Sequence, residues 1–144
     1  MKILACTDGS EQSLKALQQA AKISKCYNGE VTVIHVENFI PHLKSNWPYY
    51  SEETFKELEE RNKENVARIM ADAVKLFEEE NIKIKTLIKV GHPAETILKV
   101  ASEERFNMII IGSRGMGSFK KLLLGSVSNA VAQVAAADVL IVKG

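Results

Sequence analysis

The chain has 144 residues, a length that suits one domain of ordinary size with a substantial hydrophobic core, residues 1–144. Hydrophobic residues make up 46% and charged residues 26%, which is typical of a water-soluble globular protein. The formal net charge of +1 argues against nucleic acid as a partner, and no apolar run approaches the ~20 residues of a membrane helix.

The first half of the chain predicts two strand–helix units. Residues 2–6 are a short apolar run that ends in the turn signal TDGS, residues 7–10. A helical period of apolar residues then stops near residues 27–29, and β-branched residues predict a second strand within residues 30–38. Residues 39–51 contain two prolines and four aromatic residues, fit neither period and predict a long loop. An amphipathic helix from Phe55 to Phe77 follows, and its polar first turns are expected to overhang the core.

The second half predicts two further strand–helix units and a terminal strand. Residues 82–90 alternate like a half-buried edge strand. Pro93 and Glu95 suit the first turn of a third helix. Residues 108–112 predict a fourth strand, residues 126–137 a fourth helix and residues 138–144 a fifth strand. The four strands other than the third are apolar, which predicts burial on both faces.

Strands that alternate with helices predict an α/β protein with a parallel sheet, right-handed crossovers and helices on both faces. Ligands of such sheets bind beyond the carboxyl ends of the strands, where the strand order reverses. We expect the first and fourth strands to flank that point. The loops that follow these two strands are therefore the candidate ligand-binding loops.

The N-terminus and the cysteines bear on the compartment. Thr7 and Asp8 interrupt the N-terminal apolar run and no small-residue cleavage site follows, so the segment is not predicted to be a signal peptide. Cys6 and Cys26 are too few for a disulfide framework or a metal cage. We expect both to be reduced, buried core residues of a cytoplasmic protein.

The sequence GSRGMGS after the fourth strand is rich in glycine. Gly112, Gly115 and Gly117 would let backbone N–H groups approach an anion closely, and Gly125 and Ser126 open a helix whose N-terminus offers free donors. The hydroxyls of Ser126 and Ser128 and the cations that lie nearby in the sequence could add to a phosphate site; these cations are Arg114, Lys120 and Lys121. Alternatively, the glycines only shape tight turns.

Two known phosphate motifs do not fit this segment. Gly112 and Gly117 have the spacing of a P-loop, but Ser118 stands in place of the lysine. A dinucleotide fingerprint starting at Gly115 would require glycine at position 120, which is Lys120. These mismatches argue against a P-loop NTPase and a dinucleotide oxidoreductase.

The arrangement Gly112, two residues, Gly115, nine residues, Gly125–Ser126 resembles the nucleotide-binding pattern of the universal stress protein family. The segments ILACTDGSEQS, VIHVEN, VGHPAETIL and IIIGSRGMGSFKKLLLGSVSNAV resemble other parts of the family, so the similarity spans nearly the whole chain except residues 39–64. The resemblance implies one Rossmann-like domain of the adenine nucleotide α-hydrolase type, with five parallel strands in the order 3-2-1-4-5. It also implies a homodimer, through the last strand from Val139 to Val142.

The resemblance implies ATP as ligand, with magnesium possible near Asp8, and gives roles to individual positions. Asp8 would lie beside the nucleoside, Val36 would contact adenine through its backbone, and Gly112 and Gly115 would form the turn under the ribose and phosphates. The remaining residues expected at the nucleotide are Thr7, Arg114, Gly125, Ser126, Val127 and Ser128. Asp8 alone could equally be a turn or helix-capping residue.

Two departures from the family pattern stand outside this site. Asn107 occupies a position that is usually aspartate, and Asp138 one where proline is common. The second departure leaves the entry into the last strand, and so the dimer edge, less defined by the resemblance.

The sequence contains no strong catalytic set. His35 lies within a strand and is expected to be packed or hydrogen-bonded, His92 is expected at a helix entry, and neither Ser126 nor Ser128 has a histidine partner in the sequence. We therefore expect a regulatory nucleotide-binding protein of the stress response with at most slow ATP hydrolysis. A nucleotide-free dimeric scaffold is the alternative, and a phosphotransferase or adenylating enzyme is less favoured. The sequence does not identify a protein partner.

Overall fold

The computed structural model describes residues 1–38, 51–116 and 123–144. Nine elements follow in chain order: β1 Lys2–Cys6, α1 Glu11–Tyr27, β2 Glu30–Glu37, α2 Glu52–Glu79, β3 Ile84–Val90, α3 Pro93–Glu103, β4 Met108–Gly112, α4 Ser126–Val134 and β5 Asp138–Val142. The predicted alternation is confirmed. The expected loop at 39–51 lies outside the described residues except for Ser51, and so do Gly117, Lys120 and Lys121.

The five strands form one sheet in the order β3-β2-β1-β4-β5, and every neighbouring pair is parallel. Ala5 at the centre of the sheet pairs with Val33 on one side and with Ile110 on the other. The predicted strand order is therefore confirmed. From β1 to β3 the strands are added toward one edge of the sheet, whereas β4 and β5 are added toward the other edge. The loops that follow β1 and β4 therefore lie next to each other.

Helices cover both faces of the sheet. On one face, Ile3 and Val33 pack against Leu17 of α1 and Phe77 of α2. On the other face, Leu4, Ile34 and Ile109 of the central strands pack against α3 and α4, where Ile97 and Val131 are the buried partners. Their side chains are essentially inaccessible to solvent, which places the hydrophobic stabilisation of the fold at its centre.

The helix starts follow local rules in the sequence. The Ser10 side chain accepts a hydrogen bond from the Ser13 amide and caps α1, and Ser51 caps α2 in the same way. Pro93 is the first residue of α3, as predicted, with His92 at the N-cap. Only α4 among these helices begins at a glycine, Gly125, which has no side chain to cap it.

Three details differ from the sequence expectations. β5 is only half-buried rather than buried on both faces, because it lies at the edge of the sheet, where the helices cover each face incompletely. Cys6 is buried as expected, but Cys26 is exposed in the last turn of α1. α4 ends at Val134, three residues before the predicted end, and Ala135 has an extended backbone.

The predicted overhang of α2 is confirmed in part. Most of residues 56–65 are exposed, but Phe55 is buried. Among the helices of residues 1–38, 51–116 and 123–144, none has the length and apolarity required to span a membrane.

Candidate functional site

A cavity of about 190 Å³ lies at the carboxyl ends of β1 and β4. All ten residues selected from the sequence line it: Thr7, Asp8, Val36, Gly112, Arg114, Gly115, Gly125, Ser126, Val127 and Ser128. Seven further residues that were not selected also line it: Cys6, Ser13, Ile34, Pro93, Ile97, Ile111 and Met116. The topology therefore brings four separate parts of the chain to one place, within residues 6–13, 34–36, 93–97 and 111–128.

The turn after β1 is held by hydrogen bonds within itself. The Asp8 carboxylate accepts a hydrogen bond from the Ser10 amide at 2.9 Å, and the Thr7 hydroxyl accepts one from the Gly9 amide at 3.2 Å. Gly9 has a φ of +80°, and a Cβ there would lie 2.8 Å from Cγ1 of Ile69 in α2. Glycine is required at this position by both conformation and space.

Asp8 also connects this turn to the glycine-rich loop. Its Oδ2 accepts a hydrogen bond from the Met116 backbone amide at 2.9 Å. Gly115 makes the approach possible, because a Cβ at that position would collide with the same carboxylate oxygen. We call this pair the Asp8–Met116 bridge.

The bonds at Asp8 also affect its ionisation. Burial acts to raise the pKa of Asp8, but hydrogen bonds from Ser10 and Met116 outweigh it and leave the pKa below its ordinary value. Asp8 is therefore a carboxylate at neutral pH and places a negative charge at the cavity.

The backbone of Ser113 connects the end of β4 to the start of α4 and to β5 on the other side of the cavity. Its carbonyl accepts the Gly125 amide at 2.6 Å and the Ser128 hydroxyl at 2.8 Å, and its own amide donates to the carbonyl of Val142. The Ser128 hydroxyl proton is thus engaged within the protein, which differs from its expected use as a ligand donor. Gly112 is tightly enclosed as well, since a Cβ there would lie 2.9 Å from the backbone carbon of Gln12 in α1.

The N-terminus of α4 supplies unused backbone donors. Gly125 is the N-cap and forms no side-chain capping bond. Within the described residues, no acceptor is assigned to the amides of Ser126, Val127 and Ser128. Backbone N–H groups at a helix start carry a partial positive charge and favour anions, so this part of the cavity wall suits a phosphate or carboxylate.

The opposite wall is apolar. Ile34 and Val36 from β2, Pro93 and Ile97 from α3, and Ile111 from β4 line it. A site with an apolar wall and a row of backbone donors fits a ligand that has a flat hydrophobic end and an anionic end.

The surroundings of His35, His92 and Cys6 indicate structural roles and not catalytic ones. His35 is 8% exposed and contacts the Thr7 carbonyl, and His92 is the N-cap of α3, as the sequence predicts. Burial raises the pKa of the Cys6 thiol to about 12, and the charge of Asp8 adds to this. Cys6 is therefore a neutral thiol at physiological pH and a poor nucleophile. Among the described residues, no three histidine, cysteine, aspartate or glutamate side chains gather in a way that could hold a metal ion.

Comparison with known proteins agrees with this architecture. The family model of the universal stress protein family matches residues 1–143. The universal stress protein YxiE of Bacillus subtilis is 32% identical to the chain, over 99% of this chain and 98% of its own length. The universal stress protein MJ0577 of Methanocaldococcus jannaschii is 34% identical, over 99% of this chain and 94% of its own.

Solved structures of universal stress proteins have the same fold as this chain. The structure of MJ0577 superposes with a TM-score of 0.81 at 35% identity and covers 99% of this chain and 95% of that one. A universal stress family protein from Arabidopsis thaliana, solved with AMP bound, has the same fold with a TM-score of 0.71 at 19% identity, over 99% of this chain and 91% of that one.

The parallel sheet, with its cavity between β1 and β4, defines a Rossmann-like α/β protein with an open cavity at the switch point. This chain belongs to the universal stress protein family.

Proposed function

We propose that this chain binds ATP in the cavity between β1 and β4 and acts as a nucleotide-dependent regulatory protein of the stress response. The observation that supports this most directly is the uncapped N-terminus of α4, which faces the same cavity as the apolar wall from β2 and α3. An adenine nucleotide has matching parts, a flat base and an anionic phosphate chain. The Arabidopsis protein of the same fold was solved with AMP.

The expected roles of the residues follow from their positions. Adenine would lie against the apolar wall, with a backbone contact at Val36, while Thr7 and Asp8 would lie beside the nucleoside. Gly112 and Gly115 would form the turn under the ribose and phosphates, with Arg114 supplying positive charge. The phosphates would meet the α4 start from Gly125 to Ser128. The donors there would be the backbone amides of Ser126, Val127 and Ser128 and the Ser126 hydroxyl, since the Ser128 hydroxyl is already engaged.

A magnesium ion could accompany the nucleotide near Asp8. The carboxylate is ionised and stands at the cavity, so a cation bound to the phosphates would relieve the repulsion between two anions. One carboxylate is a weak site by itself, so we expect the ion to arrive with the nucleotide.

We propose a regulatory rather than a catalytic role. The candidate nucleophiles among the described residues that line the cavity are a neutral thiol at Cys6 and hydroxyls, and His35 points its Nδ1 at the Thr7 carbonyl instead of a serine. Any ATP hydrolysis should be slow. We further propose one cytoplasmic domain, residues 1–144, that forms a homodimer through β5.

Titration calorimetry with ATP, ADP and adenosine tests the binding proposal. ATP should bind most tightly, because adenosine lacks the phosphates that the α4 start would hold. Ser126→Ala should lose about tenfold to a hundredfold in ATP affinity if its hydroxyl bonds a phosphate, since a hydrogen bond to a charged group contributes about 1.5–3 kcal/mol. Gly125→Val should lose more, because it places a side chain at the helix start. Circular dichroism checks that the variants fold.

The alternative function, a nucleotide-free dimeric scaffold, predicts a different result in the ATP titration. If wild-type protein shown by mass spectrometry to carry no nucleotide does not bind ATP, the nucleotide-free dimeric scaffold is favoured instead. Folded glycine variants that bind ATP like wild type would indicate that the glycines only form turns.

A further inference from the structure

His35 reaches the candidate site from outside it. It lies on β2, on the sheet face shared by Val31 and Val33, and does not line the cavity. It is 8% exposed, and its Nδ1 lies 2.8 Å from the Thr7 carbonyl oxygen. The ring of this buried histidine therefore contacts the first residue of the turn that lines the candidate site.

The direction of this hydrogen bond follows from chemistry. A carbonyl oxygen can only accept, so His35 Nδ1 carries the proton and donates it to Thr7. The neutral ring is therefore the Nδ1–H tautomer. This fixes both the orientation of the ring and the partner that it serves.

The bond extends the contact between β1 and β2 beyond the strand. The paired ladder ends where Cys6 lies opposite Ile34. The next residue, Thr7, donates its amide to the Ile34 carbonyl at 2.9 Å, and its own carbonyl accepts from His35. Both polar backbone groups of Thr7 are held by two successive residues of β2.

The plane of the peptide that joins Thr7 to Asp8 is set by the Thr7 carbonyl. That peptide determines where Asp8 starts and so where its carboxylate points. The carboxylate then accepts from the Ser10 and Met116 amides at 2.9 Å each. Hydrogen bonds from β2 to Thr7, the peptide bond from Thr7 to Asp8, and the hydrogen bond from Met116 to Asp8 thus connect β2 to the glycine-rich loop.

We propose that His35 is a positioning residue that aims Asp8 across the cavity and thereby holds the two ligand-binding loops in register. The consequence for ATP affinity rests on the proposed function, whereas the consequence for the Asp8–Met116 bridge does not. Loss of the His35 donor should free the Thr7 carbonyl to rotate and weaken the bridge in the protein without ligand.

Three substitutions separate the donor from simple packing. His35→Asn keeps an N–H donor close to the place of Nδ1, His35→Gln moves the amide farther along the side chain, and His35→Leu fills the space without a donor. Asp8→Ala provides the reference state in which the bridge is absent.

The first measurement uses NMR on protein free of nucleotide. Nitrogen-15 shifts of the wild-type ring should report the Nδ1–H tautomer. The Met116 amide proton should move toward its Asp8→Ala position in His35→Leu and His35→Gln, and should stay near its wild-type position in His35→Asn. The second measurement is ATP affinity, which should fall about twofold to tenfold in His35→Leu and His35→Gln, the effect of one neutral hydrogen bond, and recover in His35→Asn.

The outcomes decide the two proposals separately. An Nε2–H tautomer, or a Met116 amide unchanged in a folded His35→Leu or His35→Gln protein, would overturn the positioning role. If His35→Leu does not fold, the comparison of His35→Asn with His35→Gln decides instead. If wild type binds no ATP, the proposed function fails, while the Met116 amide still tests the positioning role.

Discussion

Asp8 and Met116 are 108 residues apart in the chain and are joined by a hydrogen bond of 2.9 Å from the Met116 backbone amide to the Asp8 carboxylate. The bond spans the point where β1 and β4 lie side by side, and so connects the two loops that a parallel sheet of this order brings together. The carboxylate that lines the same cavity as the α4 start is thus held in place by a backbone amide of the other loop.

The stability that Asp8 contributes should depend on pH in one direction. Its pKa is lower in the folded protein than in the unfolded chain, so its contribution is fully present above the unfolded pKa of about 3.9 and is lost as the pH falls through the folded value. Urea unfolding of wild type and Asp8→Asn should give a constant difference in free energy between about pH 5 and pH 8, and a smaller one below about pH 4. A difference that grows on acidification would contradict the assignment.

Substitution of Gly112 and of Gly115 by alanine should affect different properties of the protein, its stability in the first case and the Asp8–Met116 bridge in the second. Gly112→Ala should destabilise the fold by about 1–3 kcal/mol, because its Cβ meets the backbone of Gln12, which cannot turn aside. Gly115→Ala should disturb mainly the Asp8–Met116 bridge, since its Cβ meets the Asp8 carboxylate. Thermal unfolding and the NMR shift of the Met116 amide measure the two effects.

Gly144→Ala is the control for both variants, because a Cβ there would meet only the flexible side chain of Gln12, at 3.1 Å. It should resemble wild type in both measurements. Equal loss of stability in Gly112→Ala and Gly144→Ala would refute the steric argument.

The two cysteines should differ strongly in reactivity. Cys26 is exposed at the end of α1, whereas Cys6 is buried at the cavity and its pKa is raised to about 12. A thiol reagent at neutral pH should modify one thiol quickly and the second only slowly or after unfolding. Mass spectrometry of peptides should place the fast modification at Cys26, and Cys26→Ser should abolish the fast phase. Fast modification of Cys6 in the folded protein would show that the cavity opens and exposes this thiol to solvent.

The proposed dimer can be tested without breaking the sheet. The Asp138 amide donates to Asn107 and the Val142 carbonyl accepts from Ser113, so alternate residues of β5 turn their backbone groups toward the β4 side. Ile141 therefore directs its N–H to the free edge. Ile141→Pro should remove a donor from the outer edge and weaken the dimer in sedimentation experiments at micromolar concentration, while the fold remains.

Leu140→Pro provides the matched comparison, because Leu140 has its backbone groups on the side of β4. It should destabilise the fold itself. A monomeric wild type, or a dimer unaffected by Ile141→Pro, would refute assembly through β5.

The sequence allowed the fold to be predicted because each element has its own local signal. The period of apolar residues separated strands from helices, and Pro93 and the Ser10 cap mark helix starts that the structure has. The end of α4 was not predictable in this way, since the alanines after Val134 carry no stop signal. The strand order implied by the family resemblance places β5 at the sheet edge, but its apolar composition alone predicts burial on both faces, so its shallow burial was not predicted.

The site was predictable in its loops but not in its internal contacts. Ser13 could have been selected, because it stands three residues after the Ser10 cap and so lies in the first turn of α1. The role of Met116 had no signal, because its contribution is a backbone amide. The bond between His35 and Thr7 depends on the register of β1 against β2, which appears only once the sheet is assembled.

The Met116 side chain is 74% exposed, and its hydrogen bond to Asp8 comes from the backbone alone. Evolution can therefore exchange the side chain at position 116 freely, and only proline, which has no amide proton, would remove the bond. A relative with a different side chain at this position, other than proline, can form the same contact. The shared contact would then be seen in the backbone conformation of the loop and not in the residue identities of a sequence alignment.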